Sequence, residues 1–210
     1  AAIIADKKVD VKAVTASGSN GFVYDEAGIS VEKVEFLKDL KNNRRGRIKE
    51  YAERFSGVVY QSINTTDDYN PLWNIPADCA FPCATQNEIN EKDAHNLVNN
   101  KIKLLCEGAN MPVTISGINV LIDNGILYAP GKASNAGGVA TSGLEMTQNY
   151  MGMHWTSKKV DSTLQDIMKH IHDTALVTAK EYNKPRNYMV GANIAGFLKV
   201  ARAMQAQGVI

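Results

Sequence analysis

The sequence predicts an α/β fold: a mostly parallel sheet with helices on both faces, followed by C-terminal helices. Three observations carry this prediction. Between Val9 and Tyr128, short apolar runs alternate with amphipathic ones across short connections, the pattern of strands and helices in a parallel sheet. Several of the apolar runs stop in clusters of glycine, asparagine or proline. Beyond Ala133, apolar residues recur at three- and four-residue spacing, the period of a helix with one buried stripe. With 210 residues, 44% of them hydrophobic and 21% charged, the chain has ample material for a core.

The elements follow in order. Ala1 to Lys7 reads as the last turns of a helix, and Val9 to Ala16 alternates as a strand that ends in Ser17-Gly18-Ser19-Asn20-Gly21. A chain that opens midway through a helix–strand unit is expected to be a fragment. Phe22 to Ile29 is expected to be a loop or hairpin turning at Asp25-Glu26-Ala27-Gly28. Ser30 caps a helix from Val31 to about Lys41, with Lys33 in place of the Glu or Gln of a capping box. Arg44-Arg45-Gly46-Arg47 reads as the solvated start of a second helix that carries Ile48, Tyr51, Ala52 and Phe55. Val58 to Tyr60 is a short strand, and Asn64 to Asn74 a polar loop.

The next strand, Ala77 to Phe81, is stopped by Pro82, and a helix is expected over Asn87 to Asn99. Ile102 to Cys106 is a strand ending in Glu107-Gly108-Ala109-Asn110-Met111-Pro112. A helix over Thr114 to Asp123 leads to a strand over Ile126 to Ala129, stopped by Pro130. Val160, Leu164, Ile167, Met168, Ile171, Ala175 and Leu176 form the stripe of a long helix. Pro185 separates it from a last helix over Tyr188 to Gln207, which ends at Gly208.

Composition excludes several classes. Lys plus Arg (23) and Asp plus Glu (22) leave a net charge of +1, which gives no global attraction to nucleic acid or to an acidic membrane. No apolar run approaches the roughly 18–20 residues of a membrane span. Cys79, Cys83 and Cys106 are an odd count in a chain that needs no staples, and they read as reduced thiols of a cytoplasmic protein. The scattered His95, His154, His170 and His172 lack metal-ligand spacing, so no metal is expected.

Chemistry in an open parallel sheet sits beyond the carboxyl ends of its strands. Four unusual clusters fall there: Ser17 to Gly21, Pro82 to Asn87, Glu107 to Asn110, and Gly131 to Gly138. Together they predict a shared crevice, with glycines admitting close approach of backbone to a ligand.

The segments Pro82-Cys83-Ala84-Thr85-Gln86-Asn87, Gly108-Ala109-Asn110-Met111-Pro112, Ala129 to Val139, Ser142-Gly143-Leu144-Glu145-Met146 and Gly191 to Phe197 resemble hexameric-type glutamate dehydrogenase. The match runs through the chain in order. It implies the C-terminal, dinucleotide-binding part of that enzyme. Residues 1–132 would form a truncated Rossmann-like domain, and residues 133–210 a helical segment packing back toward a substrate domain. The family's first strand, glycine-rich phosphate loop, catalytic lysine and partnering acid would precede Ala1. No catalytic residue is therefore assigned within this chain, and alone it is expected to be inactive.

The implied reaction is reversible oxidative deamination of L-glutamate to 2-oxoglutarate and ammonia with NAD(P), in a cytoplasmic homohexamer. On this resemblance Ser142 would bind the side-chain carboxylate of glutamate, and Val139 would line the same pocket. Free amides at the helix start Gly137-Gly138-Val139 would assist. Asn110 and Asn135 would meet the nicotinamide side of the cofactor, and Ala84 and Thr85 its ribose. Cys83 is expected to be packed and non-catalytic, and Lys132 to face an anion or solvent.

The expected cofactor is NADP, with NAD as the alternative. Ser17, Ser19 and Asn20 offer hydroxyls, an amide and backbone donors where the adenosine ribose would lie, with no carboxylate before Asp25. No Arg or Lys falls in this window, so a basic group would have to come from elsewhere in the fold. Two other readings stand beside this one: a sibling dehydrogenase of leucine, phenylalanine or valine, and a catalytically inert nucleotide-binding module.

Overall fold

The computed structural model describes residues 11–64 and 67–208. The helical turns expected over Ala1 to Lys7, and Val9 and Asp10 of the expected first strand, lie outside these residues. The chain divides into two compact units, Ala1–Ile75 and Pro76–Ile210.

The first unit holds strands β1 (Thr15–Gly18), β2 (Gly21–Tyr24) and β3 (Val59–Ser62), with helices α1 (Val31–Asn42) and α2 (Lys49–Arg54). Its sheet has the order β1-β2-β3 and is antiparallel throughout. This corrects the expectation that the first strand leads a parallel sheet. The chain reverses at Ser19-Asn20, pairing Gly18 with Gly21, and β2 returns along β1. Two-residue reversals of this kind are the shortest hairpins. The return continues past β2, where the Asp25 and Ile29 amides donate to the Val14 and Ala13 carbonyls at 2.8 Å.

Ser30 caps α1 as expected, its side chain accepting from the Lys33 amide. Asp25, at the end of β2, is 2% exposed and carries the polar centre of this unit. It accepts from Lys33 Nζ of α1 at 2.6 Å and from the Tyr51 hydroxyl of α2 at 2.6 Å. Burial opposes its charge, but these two donors outweigh it and hold the carboxyl below the usual range. Phe36, Tyr51 and Phe55 pack edge to face beside it, with centroids 5.0–6.3 Å apart.

The second unit opens on the parallel sheet β4 (Cys79–Ala80), β5 (Leu104–Cys106) and β6 (Leu127–Ala129), in that order. Helices α3 (Glu91–Asn99) and α4 (Ile115–Asp123) make the crossovers and pack on each other. α3 starts later than the Asn87 expected from sequence. Asn87 sits at φ 55°, outside helical space, and Asn90 forms a reciprocal capping box with Asp93. Ala94, Leu97, Leu105, Val113, Leu121 and Tyr128 are buried in this unit's core.

Four helices complete the unit: α5 (Gly131–Ser134), α6 (Gly137–Met151), α7 (Ser157–Glu181) and α8 (Tyr188–Gln207). Of the stripe expected on α7, Ala175 is buried and the remaining members are half-buried, and the stripe extends to buried Thr178 and Ala179. Helix α8 crosses it at Gly191, where a Cβ would run into the Ala175 carbonyl oxygen and reach Ala179 Cβ at 3.0 Å. No side chain larger than hydrogen fits that crossing. Among the described residues, no helix is long and apolar enough to cross a membrane.

Candidate functional site

In the second unit, three of the predicted loops meet at the carboxyl ends of the parallel strands. The Pro82 carbonyl, just beyond β4, accepts from the Gly108 and Ala109 amides at 2.9 and 3.1 Å. The Met111 carbonyl accepts from Asn87 at 3.0 Å. Asn135 Nδ2 donates to the Ala109 carbonyl at 3.2 Å and to Asn110 Oδ1 at 2.7 Å. The two predicted asparagines therefore touch. Both amide hydrogens of Asn135 are committed, leaving its carbonyl oxygen and the Asn110 amide as the pair's remaining acceptor and donor. One acceptor beside one donor is the complement of a carboxamide.

Glu107, to which the sequence reading gave no role, holds this arrangement together. It is 3% exposed. Oε2 accepts from the Gly131 amide at 2.6 Å, at the first residue of α5, and Oε1 accepts from Val113 at 3.3 Å. Burial and its bond to this carboxylate together push the Tyr128 phenol far above its ordinary range. Ser134 Oγ adds a 2.6 Å bond to the Glu107 carbonyl. One buried carboxylate thus joins the loop after β5 to the turn after β6. A polar residue directly after an apolar strand and before a glycine was the available signal.

Ala84 and Thr85 are exposed on the Pro82 loop, and the Ala84 amide donates to Glu88 Oε1 at 3.1 Å. Burial raises the Glu88 carboxyl above its usual range, against that bond. Cys83 is exposed, which corrects the expectation that it is packed, although its sulfur lies where a Gly108 side chain would project. Lys132 donates to Asn193 Oδ1 of α8 at 2.6 Å, a specific tie where an anion or solvent was expected.

Ser142 and Val139 are both exposed on α6, and Ser142 Oγ donates to the Gly138 carbonyl at 3.3 Å. The free amides expected at Gly137-Gly138-Val139 need correction at Gly138, which donates to Asn135 at 3.3 Å. The preceding turn, α5 and Asn135, supplies this acceptor, so α6 does not begin on a bare helix end.

In the first unit, Ser17, Ser19 and Asn20 are exposed around the β1–β2 hairpin turn. Ser19 Oγ donates to Asn20 Oδ1 at 2.9 Å. Arg47 reaches both, with Nη1 3.2 Å from Ser19 Oγ and 3.4 Å from Asn20 Oδ1. The arginine stretch is therefore more than a solvated helix start. It brings to the hairpin the cation that the Ser17–Gly21 window lacks. Nothing local in sequence signals this pairing of residues 27 and 28 positions apart. Among the described residues, no cluster of His, Cys, Asp and Glu is arranged to hold a metal ion.

Comparison with known proteins gives one consistent picture. Residues 1–208 match the family model described as Glutamate/Leucine/Phenylalanine/Valine dehydrogenase. The NAD(P)-specific glutamate dehydrogenase of Xylanibacter ruminicola is 51% identical over 202 residues, covering 96% of this chain and 44% of that protein. The NADP-specific glutamate dehydrogenase of Haemophilus influenzae is 49% identical, covering 94% of this chain and 43% of its own. Plasmodium falciparum glutamate dehydrogenase 2 superposes with a TM-score of 0.88 at 45% identity, over 98% of this chain and 44% of that one. The chain thus spans less than half the length of these relatives.

Proposed function

Because the chain belongs to the Glutamate/Leucine/Phenylalanine/Valine dehydrogenase family, we propose that it is the cofactor-binding portion of a glutamate dehydrogenase. The intact enzyme would interconvert L-glutamate, water and oxidised cofactor with 2-oxoglutarate, ammonia and reduced cofactor. NADP is the preferred cofactor, NAD the alternative, and the assembly a cytoplasmic homohexamer. Residues 1–132 carry the dinucleotide side, and residues 133–210 return toward the substrate domain. The observation that carries the reading is the bonded Asn110–Asn135 pair, a donor and an acceptor set side by side at the ends of two parallel strands.

When bound, the nicotinamide supplies the hydride chemistry. The chain's own residues bind and orient. Asn110 and Asn135 take the carboxamide, and the Ala84-Thr85 backbone lies along the adjoining ribose. Ser142 gives up its 3.3 Å bond to Gly138 to donate to the side-chain carboxylate of glutamate, with Val139 beside it. In the first unit, Ser17, Ser19 and Asn20 receive the adenosine ribose, and Arg47 supplies positive charge for a 2′-phosphate. The fit is chemical: a guanidinium beside a hydroxyl and an amide suits a phosphate and has no match on a free 2′-hydroxyl.

The test is steady-state kinetics on the intact enzyme. Glutamate-dependent reduction of NADP is expected to exceed that of NAD in kcat/KM. Ser142→Ala, which removes one hydrogen bond to a charged group, is expected to lower kcat/KM for glutamate by roughly tenfold or more with cofactor KM unchanged. Unaltered glutamate kinetics would reject the role of Ser142. Turnover of leucine, phenylalanine or valine in place of glutamate would favour a sibling enzyme.

A further inference from the structure

The three arginines of residues 44–47 do different work. Arg44 is consumed internally, with Nε 2.9 Å from Asp39 Oδ2, Nη1 3.7 Å from Glu50 Oε2, and its guanidinium 4.8 Å over the Phe36 ring. Arg45 makes the reversal, at φ 55°. Arg47 alone of the three bonds to the hairpin turn. What fixes Arg47 is its backbone. Glu50 Oε1 accepts from the Arg47 amide at 2.9 Å, and the Arg47 carbonyl accepts from the Glu50 amide at 3.0 Å.

That reciprocal clasp needs room. Gly46 provides it, because a Cβ there would lie 2.5 Å from Glu50 Oε1 and would run into Leu40 Cδ1. The Gly46 amide is itself held by the Leu40 carbonyl at 2.9 Å. The loop is thus pinned on both sides of the one arginine that faces the turn. A long arginine side chain on an unpinned loop would lose rotamer and backbone freedom on meeting a phosphate. Here the backbone part of that cost is met in advance.

We propose that Glu50 is a positioning residue for cofactor specificity: with Gly46 leaving space, it clasps the Arg47 backbone so that the guanidinium stands at the Ser19–Asn20 turn to read a 2′-phosphate. This rests on the NADP reading given above. It predicts that the neutral acceptor of Gln serves as well as the carboxylate, since the clasp uses an oxygen and not a charge.

The test is calorimetric titration of the intact enzyme with two probes, adenosine 2′,5′-bisphosphate and adenosine 5′-monophosphate. Affinity for the monophosphate should be unchanged in every variant, which also shows that the site is folded. Arg47→Ala should weaken the bisphosphate by tenfold or more. Glu50→Ala should weaken it by about five- to tenfold, Glu50→Gln should restore it, and Glu50→Ala added to Arg47→Ala should cost nothing further. If Arg47→Ala leaves the bisphosphate unaffected, the NADP reading of this turn fails. If Arg47→Ala weakens it but Glu50→Ala does not, the positioning role is overturned and the NADP reading survives. Equal loss in Glu50→Gln and Glu50→Ala would also overturn it, because charge and not the clasp would then be responsible.

Discussion

Replacing Glu107 with Gln is the most informative perturbation of the strand-end site, because it changes one atom in a side chain that joins two loops. The carboxylate accepts from Gly131 at 2.6 Å and from Val113 at 3.3 Å, and it is 3% exposed. Glutamine keeps one acceptor oxygen. Its better use is the short Gly131 bond, which turns the new NH2 group toward the Val113 amide. Val113 is fully buried, so its N–H then faces another donor with no water to replace the lost partner. An unsatisfied buried donor costs about 1–3 kcal/mol. Neutralising the acceptor at Gly131 weakens a charge-assisted bond by about 1 kcal/mol more. The sum, about 2–4 kcal/mol, corresponds to a fall in Tm on the order of 5–15 °C for a chain of this size. Calorimetry of parent and variant measures it, and hydrogen exchange should speed up at Gly131 and Val113 by at least about tenfold. A variant that melts within about a degree of the parent, with exchange unchanged at both amides, would show that Glu107 is not the tie between these loops.

Other outcomes follow from single features. Asn20→Asp puts a carboxylate beside Arg47 and near a 2′-phosphate. At an effective dielectric near 20, like unit charges about 5 Å apart repel by roughly 3 kcal/mol. In the intact enzyme the NADP/NAD ratio of kcat/KM should therefore fall by one to two orders of magnitude at fixed ionic strength, and a ratio that stays put would refute the placement. Asp25 has a folded-state pKa below its ordinary value, so its contribution is full above about pH 4–5 and is lost as pH falls through the folded pKa. Acid unfolding of Asp25→Asn followed by circular dichroism should lack that acid-side loss while starting from lower stability at neutral pH. Gly191→Ala should force α7 and α8 apart and destabilise by about 1–3 kcal/mol in urea unfolding, whereas an unchanged midpoint would mean the helices separate freely.

Much of the second unit was legible in sequence because its signals are local. Pro82 and Pro130 stop strands, Thr114 and Asn187 cap helices, and a 3.6-residue stripe marks α7. The first unit was misread where the signal is ambiguous. Alternation from Val9 to Ala16 is the same whether a strand's neighbour runs parallel or antiparallel, and only the pairing of Gly18 with Gly21 decides. Arg47 and Glu107 were missed for a different reason. Each acts on residues at least six positions away, up to 28 in the case of Arg47, so their roles exist only in the folded chain.

The β1–β2 hairpin also constrains how this lineage can change its taste in cofactor. Its reversal has just two residues between paired glycines, and the next two residues, Phe22 and Val23, are 1% and 0% exposed. Inserting or deleting one residue would slip the register and exchange the sheet faces on which those two side chains are buried. Length variation is thereby closed to selection, while the exposed side chains at 19 and 20 remain free to vary. Evolution at this turn is confined to spelling, letter by letter, without changing the length of the word.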